Sequence, residues 1–277
     1  MNTGENMKDI SKKSNTVYLL NKYQLQASKK YGQNFLIDTN TIKKIVDSAK
    51  IDKETCVIEI GPGIGALTEY LSYKANRVIC YEIDERLQDV LDESLNEFDN
   101  IEIIFKDFLT VNFNQVIKEL KKTYKKISVV TNLPYYITSE IIEKILKSDT
   151  TINSLTAMVQ KEVALKLTDH KNKSPLTLLI DAIGTIDYCF TVSKNVFMPA
   201  PHVDSAIIHI KMNETCSKEL YTIIETSFQQ KRKTIYNNLK PLFKEKTKDI
   251  LNQCFIDEKK RAEQLDIEDY KRLSKYL

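Results

Sequence analysis

Histidine and cysteine are scarce in this chain of 277 residues, and no stretch approaches the ~20 consecutive apolar residues that cross a bilayer. The three histidines, His170, His202 and His209, share no metal-ligand spacing, so no metal centre is expected from them. The five cysteines, Cys56, Cys80, Cys189, Cys216 and Cys254, are odd in number and far apart, and several lie inside apolar runs. That is the pattern of reduced, buried thiols rather than of disulfides or a zinc site. Residues 1–16 are polar and lack the apolar core of a secretory leader, which predicts a cytoplasmic protein without membrane contact. Internal repeats and low-complexity tracts are missing as well.

What remains is an ordinary folding composition, 42% hydrophobic and 29% charged, in a length that suits one large and one small domain. The net charge of +3 conceals an uneven distribution. Residues 1–50 carry nine lysines against four acids, residues 51–212 carry 18 basic against 23 acidic side chains, and residues 213–277 carry 14 against 11. An acidic middle between basic ends predicts a small-molecule domain whose two edges meet a polyanion. The lysine pairs at 121–122 and 125–126 read instead as solvated helix faces. Residues 1–28 read as a mobile basic arm with one short helix, and residues 213–277 as an all-helical domain.

The middle reads as alternating strands and helices. Cys56-Val57-Ile58-Glu59-Ile60 has the look of a buried parallel strand and runs into Gly61-Pro62-Gly63-Ile64-Gly65-Ala66-Leu67 at a helix start. Glycine permits the tight turn, and its bare backbone lets a ligand approach the helix amino end. Further strands are predicted at 78–83, 101–105, 127–130, 155–159, 188–192 and 205–211, while 174–186 is ambiguous between helix and strand. Asp38 or Thr39 is the expected cap of a helix after residue 38, and Thr138 or Ser139 of another. Glu82 falls about 20 residues past the glycine loop, where a carboxylate can accept both ribose hydroxyls. The glycines also fit a dinucleotide fingerprint, so an NAD oxidoreductase stands as an alternative on spacing alone. Glu59 argues for a different adenosine cofactor: it would repel a pyrophosphate but favour the ammonium of S-adenosylmethionine. Asp107 can accept an adenine amino group or simply cap a turn, and Phe108 beside it offers an apolar wall. Gln33 and Asn34, just ahead of a packed helix, sit where a loop can fold over a ligand.

The centre of the chemistry is expected at Asn132-Leu133-Pro134-Tyr135. The Asn132 amide oxygen and the Leu133 carbonyl are two acceptors that can converge on one amino group. Pro134 restricts its own φ and the conformation of Leu133, and Tyr135 adds a flat face for a base. The plain alternative is an X-Pro turn with surface tyrosines. Phe197, in a proline-rich segment, can close the other side of a base pocket or be a core aromatic. Near the carboxyl end, Lys231, Arg232 and Lys233 form a compact basic segment suited to RNA.

In these residues the chain resembles the KsgA group of ribosomal RNA adenine N6,N6-dimethyltransferases. The resemblance runs over residues 29–277 and rests on Gly32-Gln33-Asn34-Phe35-Leu36, Glu59-Ile60-Gly61-Pro62-Gly63, Asn132-Leu133-Pro134-Tyr135, Gln160-Lys161-Glu162-Val163, the segment 197–204, and Phe228-Gln229-Gln230-Lys231-Arg232-Lys233-Thr234. It implies an α/β, Rossmann-like class I S-adenosylmethionine-dependent methyltransferase domain over 29–212. Its sheet would have seven mostly parallel strands, the last antiparallel, followed by a helical domain over 213–277. It further implies that Asn34, Leu36, Gly61, Glu82, Asp107 and Asn132 contact or line the cofactor site, and that the substrate is two adjacent adenines near the 3′ end of small-subunit ribosomal RNA. An immature 30S-type subunit is the implied partner of a monomeric enzyme. Lys173-Ser174-Pro175-Leu176-Thr177 departs from the Tyr-Gly-X-Leu-Ser of the group. Rival readings are a large-subunit rRNA dimethyltransferase conferring macrolide resistance and a non-catalytic RNA-binding assembly or transcription factor on the same scaffold.

Overall fold

A computed structural model describes residues 9–169, 171 and 173–277. The chain runs α1 (Lys13–Lys22), β1 (Phe35–Leu36), α2 (Thr39–Ser48), β2 (Thr55–Ile60), α3 (Ala66–Lys74), β3 (Arg77–Glu82), α4 (Gln88–Leu95), β4 (Ile101–Phe105), α5 (Phe113–Leu120) and β5 (Lys126–Asn132). It continues through α6 (Thr138–Leu146), β6 (Ser154–Gln160), α7 (Lys161–Thr168), α8 (Pro175–Ile183), β7 (Gly184–Val192), β8 (Phe197–Met198) and β9 (Ser205–Met212). Only helices follow: α9 (Lys218–Phe228), α10 (Ile235–Phe243), α11 (Thr247–Gln253) and α12 (Ile267–Ser274), with short 3-10 turns between.

Seven strands form one sheet in the order β4-β3-β2-β5-β6-β9-β7, parallel except that β9 runs antiparallel to both β6 and β7. The period of two along the strands divides the core. Cys56, Ile58 and Ile60 of β2, with Ile127 and Val129 of β5, pack on the side of α5, α6 and α8, and that core continues into the carboxyl-terminal helices. Val57, Val78, Cys80 and Val130 face α1 to α4 on the other side. Antiparallel pairing of β7 with β9 is possible because residues 193–204 join the two strands without a crossover helix. The ambiguous 174–186 stretch is helix and strand abutted at Gly184, where a Cβ would lie 1.8 Å from the Lys211 carbonyl oxygen of β9. Pro175, part of the departure from the group pattern, stands at the first position of α8 behind a Ser174–Thr177 capping box, where a missing N–H costs nothing.

Two expectations need correction. Residues 9–28 are no loose arm: Ile10, Leu19 and Leu20 are buried, and the N–H groups of Asp9 and Ile10 each donate to the Glu69 carboxylate at 2.9 Å. A buried carboxylate on α3 needs donors, and this segment supplies them. Residues 1–8 lie outside the described residues. Thr138 does not cap α6; its hydroxyl donates instead to the Pro134 carbonyl at 3.0 Å, and the N-cap is Ile137. Asp38 does cap α2, accepting from the Thr41 N–H at 2.7 Å.

Candidate active site

The order of the sheet reverses between β2 and β5, and a cavity of about 1130 Å³, counting its open mouth, lies at the carboxyl ends of these strands. Its geometry begins with the turn after β2. Gly61 and Gly63 hold φ of +72° and +61°, and the Gly61 N–H donates to the Tyr81 carbonyl at 2.8 Å. Nothing stands within 4 Å of where a Gly61 Cβ would be, because that face opens on the cavity.

Three carboxylates line it. Glu82 ends β3 at 4% exposure; one oxygen accepts from the N–H groups of Ile83 and Asp84 at 2.9 Å each, the other from Gly63 at 3.1 Å. Burial raises its pKa above the ordinary value, and those three donors oppose the rise. Glu59 is 1% exposed, and burial pushes its pKa up to about 7. Its oxygen accepts from the Cys80 thiol at 3.6 Å, and among the described residues no lysine or arginine forms an ion pair with it. A cationic group in the cavity would favour its ionised form. Asp107 uses one oxygen to cap the turn after β4, accepting from the Leu109 N–H at 2.9 Å; the other carries no hydrogen bond among the described residues. Phe108 is buried edge-on against Tyr81 and Phe113.

The loop before α2 closes one side. Gln33 donates to Asp84 and accepts from the Ser28 N–H, both at 2.8 Å, so its amide ties the loop down rather than facing a ligand. Asn34 donates to the Gly32 carbonyl at 3.1 Å. Leu36 is paired antiparallel with Phe197, and Phe35 with Met198, in a two-rung ribbon of β1 and β8.

At the end of β5 the Thr131 hydroxyl donates to the Ile60 carbonyl at 2.6 Å, locking two strand ends together. The Pro134 carbonyl is occupied by Thr138 and by the Ile137 N–H. The Leu133 carbonyl and the Asn132 side-chain amide, by contrast, have no hydrogen-bond partner among the described residues. Tyr135 is fixed by a 2.7 Å hydrogen bond between its hydroxyl and that of Ser205, and burial raises its pKa.

The cavity thus gathers Gln33, Asn34, Leu36, Glu59, Gly61, Gly63, Glu82, Asp107, Phe108, Asn132, Leu133, Pro134, Tyr135 and Phe197. Lys231, Arg232 and Lys233 lie apart from it, exposed on the turn between α9 and α10. Sequence reasoning missed Tyr31, Ile83 and Lys106 on the lining. Ile83 had a usable signal, its place directly after Glu82, the carboxylate expected at the ribose; it is 44% exposed at the rim.

The ribosomal RNA adenine dimethylase family matches residues 24–277. Ribosomal RNA small subunit methyltransferase A of Listeria innocua is 41% identical over 98% of this chain and 97% of its own length. The protein of the same name from Bacillus pumilus is 40% identical, covering 98% of each. Among solved structures, the 23S rRNA methyltransferase ErmE superposes with a TM-score of 0.65 at 29% identity, covering 88% of this chain and 99% of that one. A dimethyladenosine transferase of Plasmodium falciparum shares the fold, with a TM-score of 0.69 at 24% identity over 86% and 95%.

Proposed function

We propose, since the chain belongs to the ribosomal RNA adenine dimethylase family, that it dimethylates N6 of two adjacent adenines in a hairpin loop near the 3′ end of small-subunit ribosomal RNA, using S-adenosylmethionine. The observation that carries this reading is the pair of open acceptors, the Asn132 amide oxygen and the Leu133 carbonyl, beside a cavity lined by Glu59, Glu82 and Asp107.

The lining fits the cofactor. A carboxylate offers about four lone-pair sites, of which the backbone takes three at Glu82, leaving capacity for ribose hydroxyls. The open oxygen of Asp107 suits an adenine amino group, and Glu59 lacks a cation that an ammonium would supply. Gly61 and Gly63 offer bare backbone, while Asn34, Leu36 and Phe108 complete the walls. Once bound, the cofactor supplies an electrophilic methyl group on a sulfonium.

The chain's own residues deal with the weak nucleophile. The N6 lone pair of adenine is delocalised into its ring. Asn132 and Leu133 accept the two N–H bonds, favour a pyramidal nitrogen and turn its lone pair toward the cofactor cavity. Positioning of this kind supplies up to ~7–11 kcal/mol. Tyr135, held by Ser205, offers the stacking face, and Phe197 closes the opposite wall. The adenine must leave its stack to enter, which favours a loop substrate. After the first methyl group one N–H remains, and one acceptor suffices to hold it.

In this reading residues 29–212 form the methyltransferase domain and 213–277 the helical domain, whose Lys231, Arg232 and Lys233 meet phosphates. The partner is the immature 30S-type subunit, engaged by a monomer in the cytoplasm. The test is methyl incorporation into immature small subunits against protein-free large-subunit rRNA. Label in the former supports the assignment, and label in the latter alone overturns it. Particle binding without cofactor binding by calorimetry would instead favour a non-catalytic assembly factor.

A further inference from the structure

Beside the base grip lies a second groove, about 760 Å³ with its mouth. It is walled by Lys161 and Leu165 of α7, by Lys194, and by His202, Val203 and Asp204 ahead of β9. Its place follows from register. Ser205, whose hydroxyl holds Tyr135, pairs across the sheet with Gln160, the residue before α7. The next residue back, Asp204, accepts the Lys161 N–H on its carbonyl and the Lys194 N–H on its carboxylate, both at 3.0 Å. One residue thereby fixes both lysine-bearing segments to the edge of the active cavity.

The chemistry of the groove is uneven in a useful way. Glu162 is paired with Lys166 at 2.6 Å, whereas neither Lys161 nor Lys194 takes part in an ion pair among the described residues. Leu165 and Val203 are 52% and 45% exposed. A lone exposed aliphatic is ordinary surface. Two lining one groove with two unpaired cations suit a flat apolar group that carries an anion, as a nucleotide does.

On the reading above, which this inference rests on, the target adenine lies in the cavity against Tyr135, and its covalent neighbour is one nucleotide away. We propose that the groove seats the neighbouring adenine of the pair, its base against Leu165 and Val203 and its phosphate toward Lys161 and Lys194. Because the groove flanks the cavity on one side only, it favours one of the two registers and sets which adenine is methylated first.

The probe is a synthetic RNA hairpin whose loop carries two adjacent adenines, together with two versions in which either adenine is made abasic. For the wild-type protein, the version that keeps the target adenine but lacks its neighbour should show a KM about tenfold higher than the intact hairpin, the size expected for one base lifted off Leu165 and Val203, and the version that lacks the target adenine should lose methylation in the favoured register. Leu165→Ser with Val203→Ser should raise KM about tenfold on the intact hairpin and become indifferent to the abasic change. Lys161→Gln with Lys194→Gln should flatten the salt dependence of binding by one to two, as about two phosphate contacts would require. All four side chains are exposed, and unchanged cofactor affinity and melting temperature would report an intact fold. If the aliphatic and abasic effects multiply, or the salt slope stays the same, the groove assignment falls. If the wild-type protein fails to methylate the intact hairpin at all, the parent reading falls with it.

Discussion

Within the active cavity, Glu82 and Gln33 on one wall and Asn132 and Leu133 on another treat their hydrogen-bonding groups in opposite ways. On the cofactor side, Glu82 is gripped by three backbone N–H groups and Gln33 by Ser28 and Asp84, so their orientations are set before any ligand arrives. On the side proposed for the base, the Asn132 side-chain amide and the Leu133 carbonyl are held only through the strand end and Pro134, and carry no partner among the described residues. An acceptor already bonded to the protein orients a ligand but adds stability to the fold. One left open adds nothing to the fold and has its full strength for the substrate.

That contrast can be broken by measurement. Asn132→Ala is expected to lower kcat by about 100-fold or more, through misplacement of the reacting nitrogen. Its melting temperature should be unchanged and its RNA affinity nearly so, since phosphate contacts dominate affinity. Unaltered turnover would remove Asn132 from the mechanism.

Glu59→Gln tests the cofactor side by pH. Folded Glu59 titrates at about 7 against 4.5 for the free side chain, so the folded state holds the proton more tightly. The stability contributed by this group is complete below pH 4.5 and is lost as pH rises through about 7, a change of about 3 kcal/mol. Relative to wild type, Glu59→Gln should therefore gain about that much between pH 4.5 and 8 in urea titrations of ligand-free protein. Parallel curves would place its titration elsewhere.

Glu82→Gln puts an amide NH2 among three N–H donors, and a loss of about 1–3 kcal/mol of stability is expected, with weaker cofactor binding by calorimetry. A stable variant that lost only turnover would erase the distinction between the two walls. The smallest effect belongs to Gln33→Ala, about threefold in cofactor KM with kcat unchanged, corresponding to roughly 0.5–1 kcal/mol for a partly exposed tether. A drop in kcat would show that Gln33 touches the reacting groups.

Much of this architecture was legible because buried parallel strands leave a plain signature. The strand at 101–105 is found with the bounds read from its residues, and those beginning near 56 and 127 extend one or two residues further at their ends. The carboxylates at or just past the ends of β2, β3 and β4 stand where the sequence put them, since a parallel sheet brings successive strand ends to one edge. Three features escaped because their causes are distant in sequence. Residues 9–28 look like an arm until Glu69 on α3 supplies an acceptor. The position of Gln33 depends on Asp84, far along the chain. The ribbon of β1 and β8 has only two pairs, too few for any period to register.

That ribbon has a temporal consequence. Leu36, on the wall beside the cofactor loop, and Phe197, on the wall offered to the base, are rungs of one ladder, and the Ile37 N–H donating to the Val196 carbonyl at 2.8 Å extends it. On the proposed reading each methyl group needs a fresh donor molecule, and the ribbon that joins Leu36 to Phe197 would tie the exchange of donor for product to the hold on the adenine, so that one movement sets the pace for both ligands.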